Sequence, residues 1–492
     1  MTRARSVTEG ERACQRYPVQ LSLLIEPQWL STMVRMATPR PRRLFLVVSE
    51  VVTLCLIALS SVFAACGDER DAVPGSNPDG ITVDPLPLGT PGSRDPSHIA
   101  PPDEEVRFKR GTLQLGDFTL LNPTTLAFGP DGRLYVGQAN GRVVALSLAG
   151  RAVTDVEVIA EEDVLQHVLG LAFNPTDPPS PVTLYVSQTN VFAGLDAPAY
   201  PGKVSKLVAP AYAPIDMITG LPVSVVEHGT NGLAFDHEGR LYIAQGGNTD
   251  AGVPARPGRD ETPLSAAILV ADVQEPGFDG AIRYEPPNEA TSTNVNQVAG
   301  DVRVYASGFR NPYDLVLHSN GRIYATDNGP NSRTQLVNCS DGPPQPNAPD
   351  ELNLVLEGRY YGHPNANRGR FDERQCTYRT PEDTSGENTP PLATLGYSVS
   401  ADGMVEYASD AFGGRLQGDL IYVEWAKGRV WRVALSDDGT RVESISRLVP
   451  EVLSRPLDVT LGPDGVLYIA EWGAGQISYL VPASSPVTPS SS

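Results

Sequence analysis

The stretch Glu227-His228-Gly229-Thr230-Asn231-Gly232-Leu233-Ala234-Phe235 runs into a turn, Asp236-His237-Glu238-Gly239, and then into Arg240-Leu241-Tyr242-Ile243-Ala244. Two short apolar runs flank an acidic, glycine-containing reversal, which is the chemistry of two antiparallel strands and their turn. A lone histidine stands just ahead of the first strand. The unit recurs. It is seen at 125–136 around Gly129-Pro130-Asp131-Gly132, at 170–175 with 184–186, and at 232–244. It returns at 314–325 around Ser319-Asn320-Gly321, and at 458–470 around Gly462-Pro463-Asp464-Gly465, followed by a strand at 476–481. A weaker copy lies in 391–435, where strands at 419–424 and 429–435 flank Ala426-Lys427-Gly428.

Six copies with inserted loops, period-2 alternation and Asp-Gly turns predict an all-β fold. The expected architecture is a six-bladed β-propeller of four-stranded antiparallel blades over 104–482, with an irregular solenoid or sandwich as the alternative. The 46 Gly and 45 Pro among 492 residues agree with many turns. Val106-Arg107-Phe108 and Leu113-Gln114-Leu115 alternate, so 105–120 is expected to supply a strand that closes the ring against the last blade.

The amino terminus reads as a targeting segment. Arg40, Arg42 and Arg43 precede an apolar run, 44–65, that ends in Val62-Phe63-Ala64-Ala65-Cys66-Gly67. Residues 1–66 resemble a bacterial lipoprotein leader in which Cys66 becomes the lipidated first residue; an uncleaved anchor helix is the alternative, and translation starting at Met33 or Met36 is a further one. The expectation is an exported, lipid-anchored protein of the cell envelope. Residues 67–103, rich in Pro, Gly, Ser and Asp, read as a disordered tether, and 483–492 as a disordered tail. Cys339 and Cys376 are candidates for one disulfide, with two separate buried thiols the alternative.

A formal net charge of −20 argues against a nucleic-acid partner. No glycine-rich fingerprint opens a helix, no His-x-x-x-His zinc signature occurs, and there is no serine elbow. In a propeller, the loop leading into the innermost strand A and the turn joining strands B and C share one end of the ring. Those slots hold Gln166 and His167, Glu227 and His228, Arg310 and Asn311, Arg455, 245–248, Asn328-Gly329-Pro330-Asn331, and Lys427. Repetition alone therefore gathers a histidine, two arginines, a lysine, amides and carboxylates around one mouth. A neutral imidazole there can take a proton from a hydroxyl, and the cations can clamp an anion. His237 and His318 fall in or near turns at the other end and are expected to be solvated. His363 reads as structural, and the tryptophans at 425, 431 and 472 as blade packing.

Several segments together resemble the glucose/sorbosone dehydrogenase family of quinoprotein-type six-bladed propellers. They are 228–235, Tyr305-Ala306-Ser307-Gly308-Phe309-Arg310-Asn311-Pro312, Asn328-Gly329-Pro330-Asn331, Asp350-Glu351-Leu352-Asn353-Leu354 and Tyr361-Gly362-His363-Pro364-Asn365. The resemblance spans roughly 120–480. It implies oxidation of an aldose or related polyol, with pyrroloquinoline quinone as cofactor and an external electron acceptor. His228 would be the general base, and Arg310 would act beside it. Arg310, Asn311, Gln166, Lys427 and Arg455 would contact the cofactor. Calcium would lie on the carbonyl oxygens of Gly329 and Pro330, and a second calcium would use Asp350, Glu351 and the backbone of Tyr361. The chain departs from the glucose-oxidising pattern at Asn231-Gly232, where a Gly-Arg pair is usual, at Leu457, where an arginine is usual, and at Glu227, where an aspartate is usual. These departures bring it nearer the sorbosone-dehydrogenase-like branch. Two other classes compete: a non-catalytic propeller binding carbohydrate or protein on the same face, and a calcium-dependent lactonase, which the His and Arg in the channel slots disfavour.

Overall fold

The computed structural model describes residues 99–104, 106–190, 200–224, 228–252, 259–285, 295–330, 348–365, 367–368, 378–383 and 385–483. Cys66, Glu227, Asn331, Cys339, Cys376, the expected leader and the residues after 483 lie outside them.

Six four-stranded antiparallel sheets form six blades, each ordered A, B, C, D from the channel outward. Blade 1 is Pro123–Phe128, Leu134–Gln138, Val143–Ala149 and Ala152–Ala160. Blade 2 is His167–Ala172, Thr183–Thr189, Gly202–Val208 and Pro214–Leu221. Blade 3 is Thr230–Phe235, Leu241–Gln245, Ala267–Ala271 and Val302–Ser307, with a hairpin of Arg283–Glu285 and Asn296–Ala299 inserted before its last strand. Blade 4 is Pro312–Leu317, Ile323–Asp327, Asp350–Val355 and Ala393–Gly396. Blade 5 is Ala401–Tyr407, Asp419–Glu424, Arg429–Leu435 and Val442–Arg447. Blade 6 takes Pro456–Leu461, Leu467–Glu471 and Gln476–Pro482 from the end of the chain and its outermost strand, Phe108–Thr112, from the beginning.

That last pairing closes the ring, with Phe108 opposite Pro482 and Thr112 opposite Ser478. Arg110 reaches across it to Glu471 at 2.5 Å. Contact begins earlier still: Ile99, in the stretch expected to be tether, bridges Ile445 on the outer strand of blade 5.

Period-2 alternation explains the packing. Side chains of one strand point to opposite faces, so each blade feeds two cores. In strand B of blade 3, Leu241 and Ile243 enter the core shared with blade 2, while Tyr242 and Ala244 enter the core shared with blade 4. The apolar interior is thus divided among the six blade junctions. The recurring Phe and Tyr interlock neighbours: Tyr135 meets Phe173 edge-on at 5.1 Å, and Tyr185 meets Phe235 at 4.7 Å.

A second repeat sits at the end of strand B, where a buried polar residue stands in every blade: Gln138, Gln188, Gln245, Asp327, Glu424 and Glu471. In five blades its hydrogen bonds tie down the loop that leads into strand A. Gln138 accepts from Leu121 N, Gln188 from Gln166 N, Asp327 from Arg310 N and Asn311 N, and Glu471 from Ser454 N; Gln245 donates to Gly229 O. Each such bond contributes about 1 kcal/mol net, but an unpaired buried amide would cost more. The mouth of the ring is pinned in this way in five of its six blades.

The inner strands enclose a cavity of about 440 Å³ that touches Thr125, Gly170, Gly232, Asp314, Met404 and Asp458, one residue from each blade. His318 corrects its expected exposure. It is buried, and its Nε2 bonds Gly418 O at 2.8 Å, because blade 5 covers the turn that carries it. His237 is exposed, as its turn suggests.

Candidate active site

His228 sits two residues before strand A of blade 3, buried, with Nδ1 2.9 Å from Gly247 O. A carbonyl only accepts, so Nδ1 carries the proton and Nε2 is the basic nitrogen. Burial, and then the Arg310 guanidinium, hold the imidazole well below the usual histidine range, which keeps it neutral at pH 7. The turn opposite must be glycine. A Cβ on Gly246 would lie 2.6 Å from His228 Cβ and 2.8 Å from Asn311 Oδ1, and one on Gly247 would lie 2.9 Å from Arg310 O. The Gly246-Gly247 pair lets the lead-in loops of blades 3 and 4 converge.

Arg310 and Asn311 occupy the second of these loops. Asp327 accepts from both of their backbone amides, at 3.0 and 2.7 Å. The Arg310 guanidinium is 3% exposed; its Nε and Nη2 reach Asp250 Oδ1 at 2.9 and 2.8 Å, and Nη1 donates to Asn328 O at 3.2 Å. A buried guanidinium satisfied in this way is a fixed positive charge beside a neutral imidazole. Three amides continue the network: Asn231 donates to Asn311, Asn311 to Asn328, and Asn328 to Ala401 O in blade 5.

The remaining expected cofactor contacts divide by exposure. Gln166 is half-buried, and its Oε1 has no hydrogen-bond partner among the described residues. His167, beside it, is half-buried and its pKa is lowered by burial. Lys427 and Arg455 are exposed, on adjacent loops tied by Leu453 N donating to Gly428 O. Arg455 lies over Trp425 at 4.8 Å and Trp472 at 5.7 Å, so two of the tryptophans hold a cation at the mouth as well as packing.

Gly329 and Pro330 follow Asn328 on the same end. Gly329 N donates to Asp350 Oδ1 at 3.0 Å, and the carbonyl oxygens of Ala348 and Pro349 come within 2.4 and 2.3 Å of where a Cβ on Gly329 would stand. Burial pushes the Asp327 carboxyl up to about 7 and that of Asp350 up to about 6. Crowded carbonyls beside buried acids, whose charge the nearby Arg310 offsets only in part, are a hard-oxygen set of the kind calcium takes. Among the described residues no three His, Cys, Asp or Glu side chains converge on a metal position. Asp350, Glu351 and Tyr361, the expected ligands of a second calcium, each have hydrogen-bond partners of their own. Strand alternation turns Asp350 toward Ala401 N, and Glu351 the other way, to Asn353. The backbone of Tyr361 donates its N–H to Ser307 O at 2.8 Å, and its hydroxyl donates to Leu354 O.

Asp250 and Asp327 are functional residues that the sequence pattern did not single out. Only Asp327 had a signal, the polar residue that ends every strand B.

The family model for glucose/sorbosone dehydrogenase matches residues 120–478. Quinoprotein glucose dehydrogenase B of Acinetobacter calcoaceticus is 25% identical over 304 residues, which cover 57% of this chain and 58% of that protein. Among solved structures, the PQQ-bound aldose sugar dehydrogenase of Streptomyces coelicolor superposes with a TM-score of 0.52 at 19% identity, covering 78% of this chain and 99% of that one. The soluble aldose sugar dehydrogenase of Escherichia coli in its apo form gives 0.53 at 19% identity, covering 76% and 100%. At these identities the structural likeness establishes the shared propeller.

Proposed function

The chain belongs to the glucose/sorbosone dehydrogenase family, and from that membership we propose that it is a quinoprotein dehydrogenase oxidising an aldose or related polyol. The observation that carries the reading is His228: buried, neutral, and held by Gly247 O so that Nε2 is the basic nitrogen. A base in that state takes the proton of a substrate hydroxyl at Nε2. Arg310, fixed by Asp250 and Asn328, stabilises the charge that develops on the substrate oxygen. The amide chain through Asn231, Asn311 and Asn328 keeps these groups in register, so little reorganisation is needed when substrate arrives.

Pyrroloquinoline quinone, when bound, supplies the hydride acceptor, with calcium as a Lewis acid. Lys427 and Arg455 would hold its carboxylates, Gln166 and Asn311 would hydrogen-bond it, and the carbonyls of Gly329 and Pro330 would hold the ion. The unpartnered Oε1 of Gln166 and the raised carboxyls of Asp327 and Asp350 support that assignment. In this reading the amino-terminal run with Cys66 anchors the domain at the cell envelope, where an external acceptor takes the electrons. Dye reduction after reconstitution with the quinone and calcium tests the activity; no turnover on any aldose would remove it.

A further inference from the structure

The loop 246–250 carries both groups that set the site, Gly247 O for His228 and Asp250 for Arg310. Its 246–247 half is tied by Gly246 N to Gly229 O and by Gly247 N to Arg310 O, and its 248–249 half is held by Glu261, which is buried. Its Oε1 accepts from Thr249 N at 2.9 Å and Thr249 Oγ1 at 2.6 Å, and its Oε2 from Asn248 N at 3.0 Å and Ser265 Oγ at 2.5 Å. His363, fully buried and contributed by blade 4, adds Nε2 at 2.8 Å from Oε1. Burial alone pushes this carboxyl up, but His363, Ser265 and Thr249 outweigh it and hold it at about 2. Donors converging on both oxygens require an anion, because a glutamine or a protonated acid would turn a donor of its own toward them.

We propose that Glu261 is a positioning residue: its carboxylate fixes loop 246–250 so that Gly247 O takes the proton-bearing Nδ1 of His228 and leaves Nε2 as the base. The catalytic half of this statement rests on the dehydrogenase reading, whereas the tautomer half does not. His363 is the brace that ties the clamp to blade 4.

The test is the nitrogen spectrum of ¹⁵N-histidine-labelled full chain, with the His228 signals identified by their loss in His228→Asn. The wild type is expected to show a single His228 tautomer, protonated at Nδ1, across the neutral range. In Glu261→Gln both ring nitrogens are expected to shift toward an average of the two tautomers. In the same variant kcat is expected to fall on the order of tenfold to a hundredfold, with KM for the sugar unchanged. If that variant does not fold, Thr249→Val removes one donor to Oε1 and is expected to give the same changes in smaller measure. His228 nitrogen shifts indistinguishable from the wild type in Glu261→Gln, or in Thr249→Val where Glu261→Gln does not fold, overturn the proposal. A tautomer that is fixed in the wild type and lost in the variant, in a protein that turns over no aldose, supports the positioning role and removes the dehydrogenase reading.

Discussion

Asn231, on the inner strand of blade 3, donates its side-chain amide to Asn311 Oδ1 over 2.9 Å and to Pro312 O over 2.8 Å. The bond joins blade 3 to the loop that leads into blade 4, next to Arg310. Beside it, Gly232 lets Asp314 of blade 4 approach, since a Cβ there would stand 2.4 Å from Asp314 Oδ1. The Asn231-Gly232 pair, a departure from the glucose-oxidising pattern, is the joint between two blades of the site.

Asn231→Ala should therefore leave two buried acceptors unsatisfied, at a cost of about 1–3 kcal/mol for each. We expect a melting temperature lower by several degrees and weaker cofactor binding, because Asn311 loses one of its anchors. Differential scanning calorimetry checks the first and a cofactor titration the second; a melting curve superimposable on the wild type would show the joint to be inert.

The pH dependence of His228 has a definite sign. Its folded pKa is depressed well below 6.5, so the ring stays neutral as pH falls through the range where free histidine protonates. Its contribution to stability is present above that value and is lost as pH falls below it toward the folded pKa. The acid limb of kcat/KM is expected below about 6.5. A limb at or above that value would mean the ring is solvated.

In the channel, Asp314 accepts from Leu315 N and Met404 N, and Asp458 from Leu126 N and Val459 N. Burial raises the Asp314 carboxyl from 3.8 to about 7, and it raises Asp458 well above its ordinary value. A raised pKa contributes stability that is complete below the unfolded value and is lost as pH rises through the folded one. The melting temperature should fall from this source between pH 3.8 and about 7. In Asp314→Asn the slope over that window should be shallower; thermal melts at several pH values measure it, and an unchanged slope would exclude the pair as its source.

Ring closure gives a direct stability prediction. Removing 104–120 takes away the outer strand of blade 6, its five paired positions, and the Arg110 partner of Glu471, a carboxylate only 1% exposed. A marked drop in melting temperature is expected, because blade 6 loses its covered edge. An unchanged curve would show that the ring does not depend on this strand.

Much of the fold was legible because a blade is a local object. The 125–136 and 232–244 units announce two strands and a turn by alternation alone, and Val106-Arg107-Phe108 announced the closing strand. The positions of His228, Arg310 and Asn311 were legible because the repeat assigns each a slot. Glu261 and His363 were not, since they meet only after the insertions of blades 3 and 4 fold toward each other, 102 residues apart in the chain. Asp327 could have been found: Ile323-Tyr324-Ala325-Thr326-Asp327 ends in a polar residue, as Gln138, Gln245 and Glu471 end theirs. His318 looked solvated because a turn says nothing about the neighbouring blade that covers it.

The central claim is that this mouth binds a quinone cofactor with calcium and uses His228 on a sugar hydroxyl. Titrating the purified protein with pyrroloquinoline quinone, with and without calcium, and then following dye reduction on adding aldoses tests it most directly. Saturable, calcium-dependent binding and turnover are expected in the wild type. In His228→Ala binding is expected to be retained and turnover lost. Absence of binding, or turnover that survives in His228→Ala, would contradict it.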